Sequence, residues 1–181
     1  MSEVVVNASP SSSPSALLDR TIPLARLLGL VDASERAAAD RPAVSLGISA
    51  NVTVDLLGVY LRREALLLGL RLNVHKGEYD DVIGDMTRFA AANVSRILIL
   101  PFFDNLLPGF EAQSDLLPDK ALDAKFGELE DRYRTALGIA RGVGSIQIVT
   151  AFRMGKSHRA DGGDRFIFFT VNTKIDKKIV I

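Results

Sequence analysis

Residues 96–102 read Arg96-Ile97-Leu98-Ile99-Leu100-Pro101-Phe102. Four consecutive aliphatic side chains leave no polar face, because alternate residues of a strand point to opposite sides. A strand of this kind is buried on both faces, as the strands of parallel sheets are. Residues 43–49 form a second short apolar run, 70–75 alternate, and 145–152 supply a further strand. Helical patterns separate them. Over 53–68 the apolar positions are 56, 57, 60, 61, 65 and 68, with Gly69 where a helix C-cap belongs. Residues 79–92 are helical. Over 120–141 the stripe Leu122, Phe126, Leu129, Tyr133, Leu137 and Ala140 repeats every 3.6 residues, after Asp119 as cap and before Gly142 and Gly144. Strands alternating with helices predict an α/β fold, a three-layer α/β/α sandwich with a mainly parallel sheet.

The flanks are read less sharply. Residues 1–15 include Asn7-Ala8-Ser9-Pro10-Ser11-Ser12-Ser13-Pro14-Ser15, which buries no apolar area and is expected to be a disordered tail. Residues 16–42 are expected to be a helical extension. Its first helix carries Leu17, Leu18, Ile22, Leu24, Leu27 and Leu28; a second, over 33–39, is capped by Asp32 and ended by Pro42. The α/β domain is expected over 43–181. Residues 166–181 fit a strand through Phe166-Ile167-Phe168-Phe169, and fit a helix through Phe168, Val171, Ile175 and Ile179.

Composition excludes several functions. Lys+Arg and Asp+Glu both number 22, and no basic run appears, which argues against binding nucleic acid by phosphate neutralisation. There is no cysteine and there are two histidines, His75 and His158, so thiolate or multi-histidine metal sites are not expected, and no cofactor is implied. The most apolar stretch, 56–72, is interrupted by Arg62, Arg63, Glu64 and Arg71 and is too short and charged to span a bilayer. No secretory signal opens the chain, so a cytoplasmic location is expected. Walker A, G-x-G-x-x-G, G-x-S-x-G and H-E-x-x-H motifs are all missing.

In a parallel sheet with helical crossovers, ligands meet the carboxyl ends of the strands. Four loops qualify. Ile48-Ser49-Ala50-Asn51-Val52-Thr53 offers polar side chains, or simply helix caps in Asn51 or Thr53. His75-Lys76-Gly77-Glu78-Tyr79-Asp80 has a glycine permitting close backbone approach, with acidic residues suited to a helix start. Asp104-Asn105 follows a buried strand, as a hydrogen-bonding pair or a turn. Lys156-Ser157-His158 sits in a glycine-rich loop.

The span 43–152 resembles the N-terminal domain of FkbH-like proteins, in which an SGNH-hydrolase-like domain precedes one of haloacid-dehalogenase type. The segments that carry the resemblance are Asn51-Val52-Thr53-Val54-Asp55-Leu56-Leu57, Gly77-Glu78-Tyr79-Asp80, Ile99-Leu100-Pro101-Phe102-Phe103-Asp104-Asn105-Leu106-Leu107-Pro108-Gly109-Phe110-Glu111 and Gln147-Ile148-Val149-Thr150-Ala151-Phe152. It implies a flavodoxin-like, SGNH-like sandwich. Asn51 falls near the place of the family's nucleophilic serine, Ser49 is offset from it, Gly77 matches the oxyanion glycine, and Asp104-Asn105 stand in the third block with altered order. The late Asp-x-x-His is absent, since Gly155 stands three residues before His158.

The resemblance therefore implies a degenerate, non-hydrolytic accessory or docking domain in secondary-metabolite or polysaccharide assembly. Its partner would be an acyl carrier protein or a haloacid-dehalogenase-type glyceryl-loading domain. Two alternatives stand. An esterase or acyltransferase would use Ser49, Asp104 and His158 as catalytic residues, with Asn51, Thr53, Gly77, Tyr79 and Asn105 binding ligand. An oligomeric interaction protein would use the Phe166–Phe169 aromatic cluster to form a homo-oligomer.

Overall fold

The computed structural model describes residues 17–106, 118–154 and 165–173 of the chain. Helices α1 (Leu24–Ala37), α2 (Leu57–Leu67), α3 (Val82–Ala91), α4 (Phe103–Leu106) and α5 (Asp119–Ile139) alternate with strands β1 (Ala43–Ala50), β2 (Arg71–Lys76), β3 (Arg96–Leu100), β4 (Ile146–Met154) and β5 (Arg165–Thr173). The sheet order is β2-β1-β3-β4-β5. The first four strands are parallel, and β5 runs antiparallel to β4. This is the expected α/β architecture of the three-layer sandwich class with a mainly parallel sheet.

The open choice between strand and helix falls to strand over 165–173, while residues 174–181 lie outside the described residues. Residues 165–173 pair with β4 from Arg165–Met154 through to Thr173–Ile146, and that ladder satisfies backbone groups a helix would have turned inward. At the other end, the boundaries expected between residues 17 and 39 shift: residues 17 and 18 are helical, 19–23 form a turn, and one helix then covers the end of the first expected helix and most of the second. α1 runs without a break from Leu24 to Ala37 after Pro23, whose fixed φ suits a helix entrance. Asp32 lies inside it rather than capping a second helix; its carboxylate pairs with Arg62 of α2 at 2.6 Å. The loop expected over 103–118 opens with the short helix α4, and residues 107–117 lie outside the described residues.

The contacts divide into two compact units. One holds the N-terminal part of the chain to Ala43 together with residues 55–72. Within it, Leu27, Leu30 and Val31 of α1 meet Val59 and Leu66 of α2. Arg62 grips both Asp32 and Glu35. Gly69, at φ +78°, ends α2 in the left-handed turn that glycine adopts without cost.

The second unit holds residues 44–54 and 73 onward. Its core joins Val82, Met86 and Phe89 of α3, Ala136 of α5, Ile97 and Ile99 of β3, and Ile146 of β4. Phe89 lies flat against β1, where a Cβ on Gly47 would stand 2.6 Å from its ring. Glycine there is a condition of that helix lying so close to the strand. Two residues on, and so on the same face, stands Ser49.

Candidate functional site at the carboxyl ends of β1 and β3

Parallel register places Ala50 beside Leu100, so the loops after β1 and β3 leave the sheet together. Asn51 joins them. Its Oδ1 accepts from the Phe102 N–H at 2.6 Å, and its Nδ2 donates to the Phe102 carbonyl at 2.9 Å. The side-chain amide thus pairs with the backbone N–H and C=O of a single residue, as a neighbouring strand would. Asn105 closes the bracket, donating from Nδ2 to the Asn51 carbonyl at 2.6 Å. Asn51 is buried, so these bonds satisfy an amide that would otherwise be costly to bury. Neither Asn51 nor Thr53 caps a helix: α2 begins only at Leu57, with no side-chain cap at its start. Thr53 is exposed, four residues before that helix begins.

Ser49 is 2% exposed. Its hydroxyl donates to Asp85 Oδ2 at 2.6 Å. Asp85 is fully buried on α3, and its Oδ1 accepts from the Glu78 N–H at 2.8 Å and from Arg88. The carboxylate presses on the backbone at Gly77, where a Cβ would stand 2.1 Å from Oδ2. The close approach that Gly77 permits is therefore the approach of Asp85. The Gly77 N–H itself donates to the Ile48 carbonyl at 2.8 Å, as part of the chain's run along β1.

The turn that follows is fixed by charge. Asp80 adopts φ +56°, a left-handed conformation that Asp tolerates better than most residues. Its N–H donates to the Ala50 carbonyl at 3.1 Å, and Arg132 of α5 holds both its carbonyl and its carboxylate. Asp81 caps α3, accepting from the Gly84 N–H at 3.0 Å. The Arg88 guanidinium, and then that N–H, hold the Asp81 carboxyl below the usual carboxylate range. Tyr79 is 67% exposed and stands outside this network.

Between these elements lies a narrow cleft lined by Ser49, Ala50, Asn51, Asp80, Ile99, Pro101 and Tyr133, among others. Its volume, about 10 Å³, is that of a single water site. Burial pushes the Tyr133 hydroxyl up to about 12, so it stays protonated, a hydrogen-bond donor, across the physiological range.

Of the candidate catalytic residues, the structure brings Ser49 to the cleft and gives it Asp85 as partner. Asp104 lies on α4, its side chain outside what the structure describes, and His158 is outside the described residues. Asp85, Arg88, Arg132 and Tyr133 join the site without being among the sequence candidates. For Asp85 a signal existed: Val82, Asp85, Met86 and Phe89 form one helical stripe, and a lone acid on an apolar stripe must have buried donors to meet it. Among the described residues no group of His, Cys, Asp and Glu could hold a metal ion, and no helix is long and apolar enough to cross a membrane.

No family model matches the chain, and no curated protein does. Among solved structures, the fold is similar to the N-terminal part of the protein BF1531 from Bacteroides fragilis, containing a phosphatase domain complexed with Mg. The TM-score is 0.56 at 14% sequence identity, over 77% of this chain and 36% of that one. At that identity the likeness is one of fold, and this chain spans about a third of the length of the structure it matches.

Proposed function

We propose that the chain is a non-hydrolytic, SGNH-like accessory or docking domain of the FkbH-like kind. It would serve secondary-metabolite or polysaccharide assembly in the cytoplasm, beside a carrier protein or a haloacid-dehalogenase-type domain. One observation carries the reading: the Ser49 hydroxyl is buried and already committed to Asp85. A serine nucleophile needs a base that takes its proton and space for the carbonyl it attacks. Here the hydroxyl faces a carboxylate that is itself occupied by Glu78 N–H and Arg88, in a cleft with room for one water. The fold likeness to a protein that contains a phosphatase domain supports the pairing with a phosphate-handling partner.

Two measurements test this. Hydrolysis of p-nitrophenyl acetate by the purified chain should not differ between the wild type and Ser49→Ala; an activity that disappears with the hydroxyl overturns the non-hydrolytic reading. Titration calorimetry against a holo-acyl carrier protein, and separately against a haloacid-dehalogenase-type domain, should show saturable binding to one of them. Failure with both overturns the docking role.

A further inference from the structure

We propose that Ser49, the Glu78 N–H and Arg88 form a carboxylate-binding site that the chain closes with its own Asp85, and that a free small carboxylate occupies it once that side chain is removed. The inference is independent of the docking role. It rests on how Asp85 is held. Three donors of different chemistry converge on one carboxylate: a hydroxyl from β1 at 2.6 Å, a backbone N–H from the loop after β2 at 2.8 Å, and a guanidinium from α3. Hydroxyl, amide and guanidinium are the groups with which proteins hold free anions, each bond strengthened by the charge of the acceptor.

Both carboxylate oxygens are engaged, and the wall behind them is glycine. A Cβ at Gly77 would stand 2.1, 2.2 and 2.4 Å from Asp85 Oδ2, Cγ and Oδ1, so the backbone is cut away to the shape of the carboxylate. An ordinary buried acid is surrounded; this one is seated. Arg88 is 46% exposed while Asp85 is wholly buried, so the cradle has one solvent-facing side through which a small ion can enter. In the wild type the seat is taken: Ser49, the Glu78 N–H and Arg88 are all engaged by Asp85. The ligand class is a monocarboxylate, or the carboxylate terminus of a larger molecule small enough there to pass Arg88.

Formate is the probe. In Asp85→Ala, formate should raise the melting temperature saturably, by about 3–6 °C at ten times its dissociation constant. Chloride at equal ionic strength should not. Wild type, and Asp85→Asn whose amide still fills the seat, should not respond. Adding Ser49→Ala to Asp85→Ala should weaken formate at least tenfold. An equal response in wild type, meaning an adventitious ion only, overturns the proposal, as does a formate response indifferent to Ser49. If Asp85→Ala does not fold in chloride, refolding yield replaces melting. Recovery in formate alone supports the site, and equal yields in the two salts, high or nil, overturn it.

Discussion

The two compact units bury their apolar faces in different ways. In the unit that holds most of the sheet, the interior between α3 and β1 is closely packed. Phe89 lies so close to β1 that Gly47 has no room for a methyl group, and the polar side chains inside it, Ser49, Asn51 and Asp85, are each hydrogen-bonded. In the unit built from α1 and α2, Leu27, Val31, Val59 and Leu66 pack together, yet a groove of about 380 Å³ runs past Leu17, Ala37, Ala38 and Leu66. Leu18 and Leu68 there are 65% and 77% exposed. The difference teaches where volume matters. A closely packed interior transmits every change in size, whereas a side chain lining an open groove has fewer partners to lose.

Truncation should show this most strongly. Phe89→Ala removes a fully buried ring from the sheet-bearing unit and is expected to cost about 3–5 kcal/mol. Leu66→Ala borders the groove and should lie near the low end of such truncations, about 2 kcal/mol. Urea unfolding of both variants measures the gap. Equal losses would mean that the groove is closed in solution and the contrast between the units is false.

Addition should come next in size and separate the units by sign. Gly47→Ala drives a methyl into the Phe89 ring and should cost about 1–3 kcal/mol, less when Phe89 is also shortened to Leu, because the two sites touch. Ala37→Leu points new surface at the groove and should change stability by no more than about 0.5 kcal/mol. A large loss from Ala37→Leu would show the groove to be filled.

What could be read from sequence divides along a related line. β3 is legible because Ile97 to Leu100 have no polar residue among them, and α5 because its stripe runs for about five turns. These patterns are local and repeat. Asp32 was read as a helix cap because caps are also local, yet its partner is Arg62, thirty residues on. Asn51 was placed correctly at the end of β1, but its amide answers the backbone of Phe102, fifty-one residues away. Ser49 stands out in the sequence and its partner does not: Asp85 reads as one more acid near a helix start until the packing of α3 on β1 sets the two together. The position of these residues at the strand ends is legible, and the network that joins them is not. Its bonds depend on which loops leave the sheet side by side, and no short-range pattern encodes that.

The smallest expected effect concerns the rim of that network. Asp81 caps α3 and pairs with Arg88 at 2.9 Å, and both side chains are nearly half exposed. Asn caps a helix about as well as Asp, so Asp81→Asn keeps the Gly84 bond and removes only the charge pair. The folded-state carboxyl titrates below its ordinary value of 3.8, so its contribution is whole above that pH and is lost as pH falls through the lowered value. The melting-temperature deficit of Asp81→Asn should therefore be small at neutral pH and vanish in acid. It should also shrink in 1 M salt, where screening acts within about 3 Å. A deficit that survives both acid and salt would move Asp81 out of the exposed rim. Its carboxylate would then belong with Ser49 and Asp85 among the bonds that the sheet-bearing unit cannot spare.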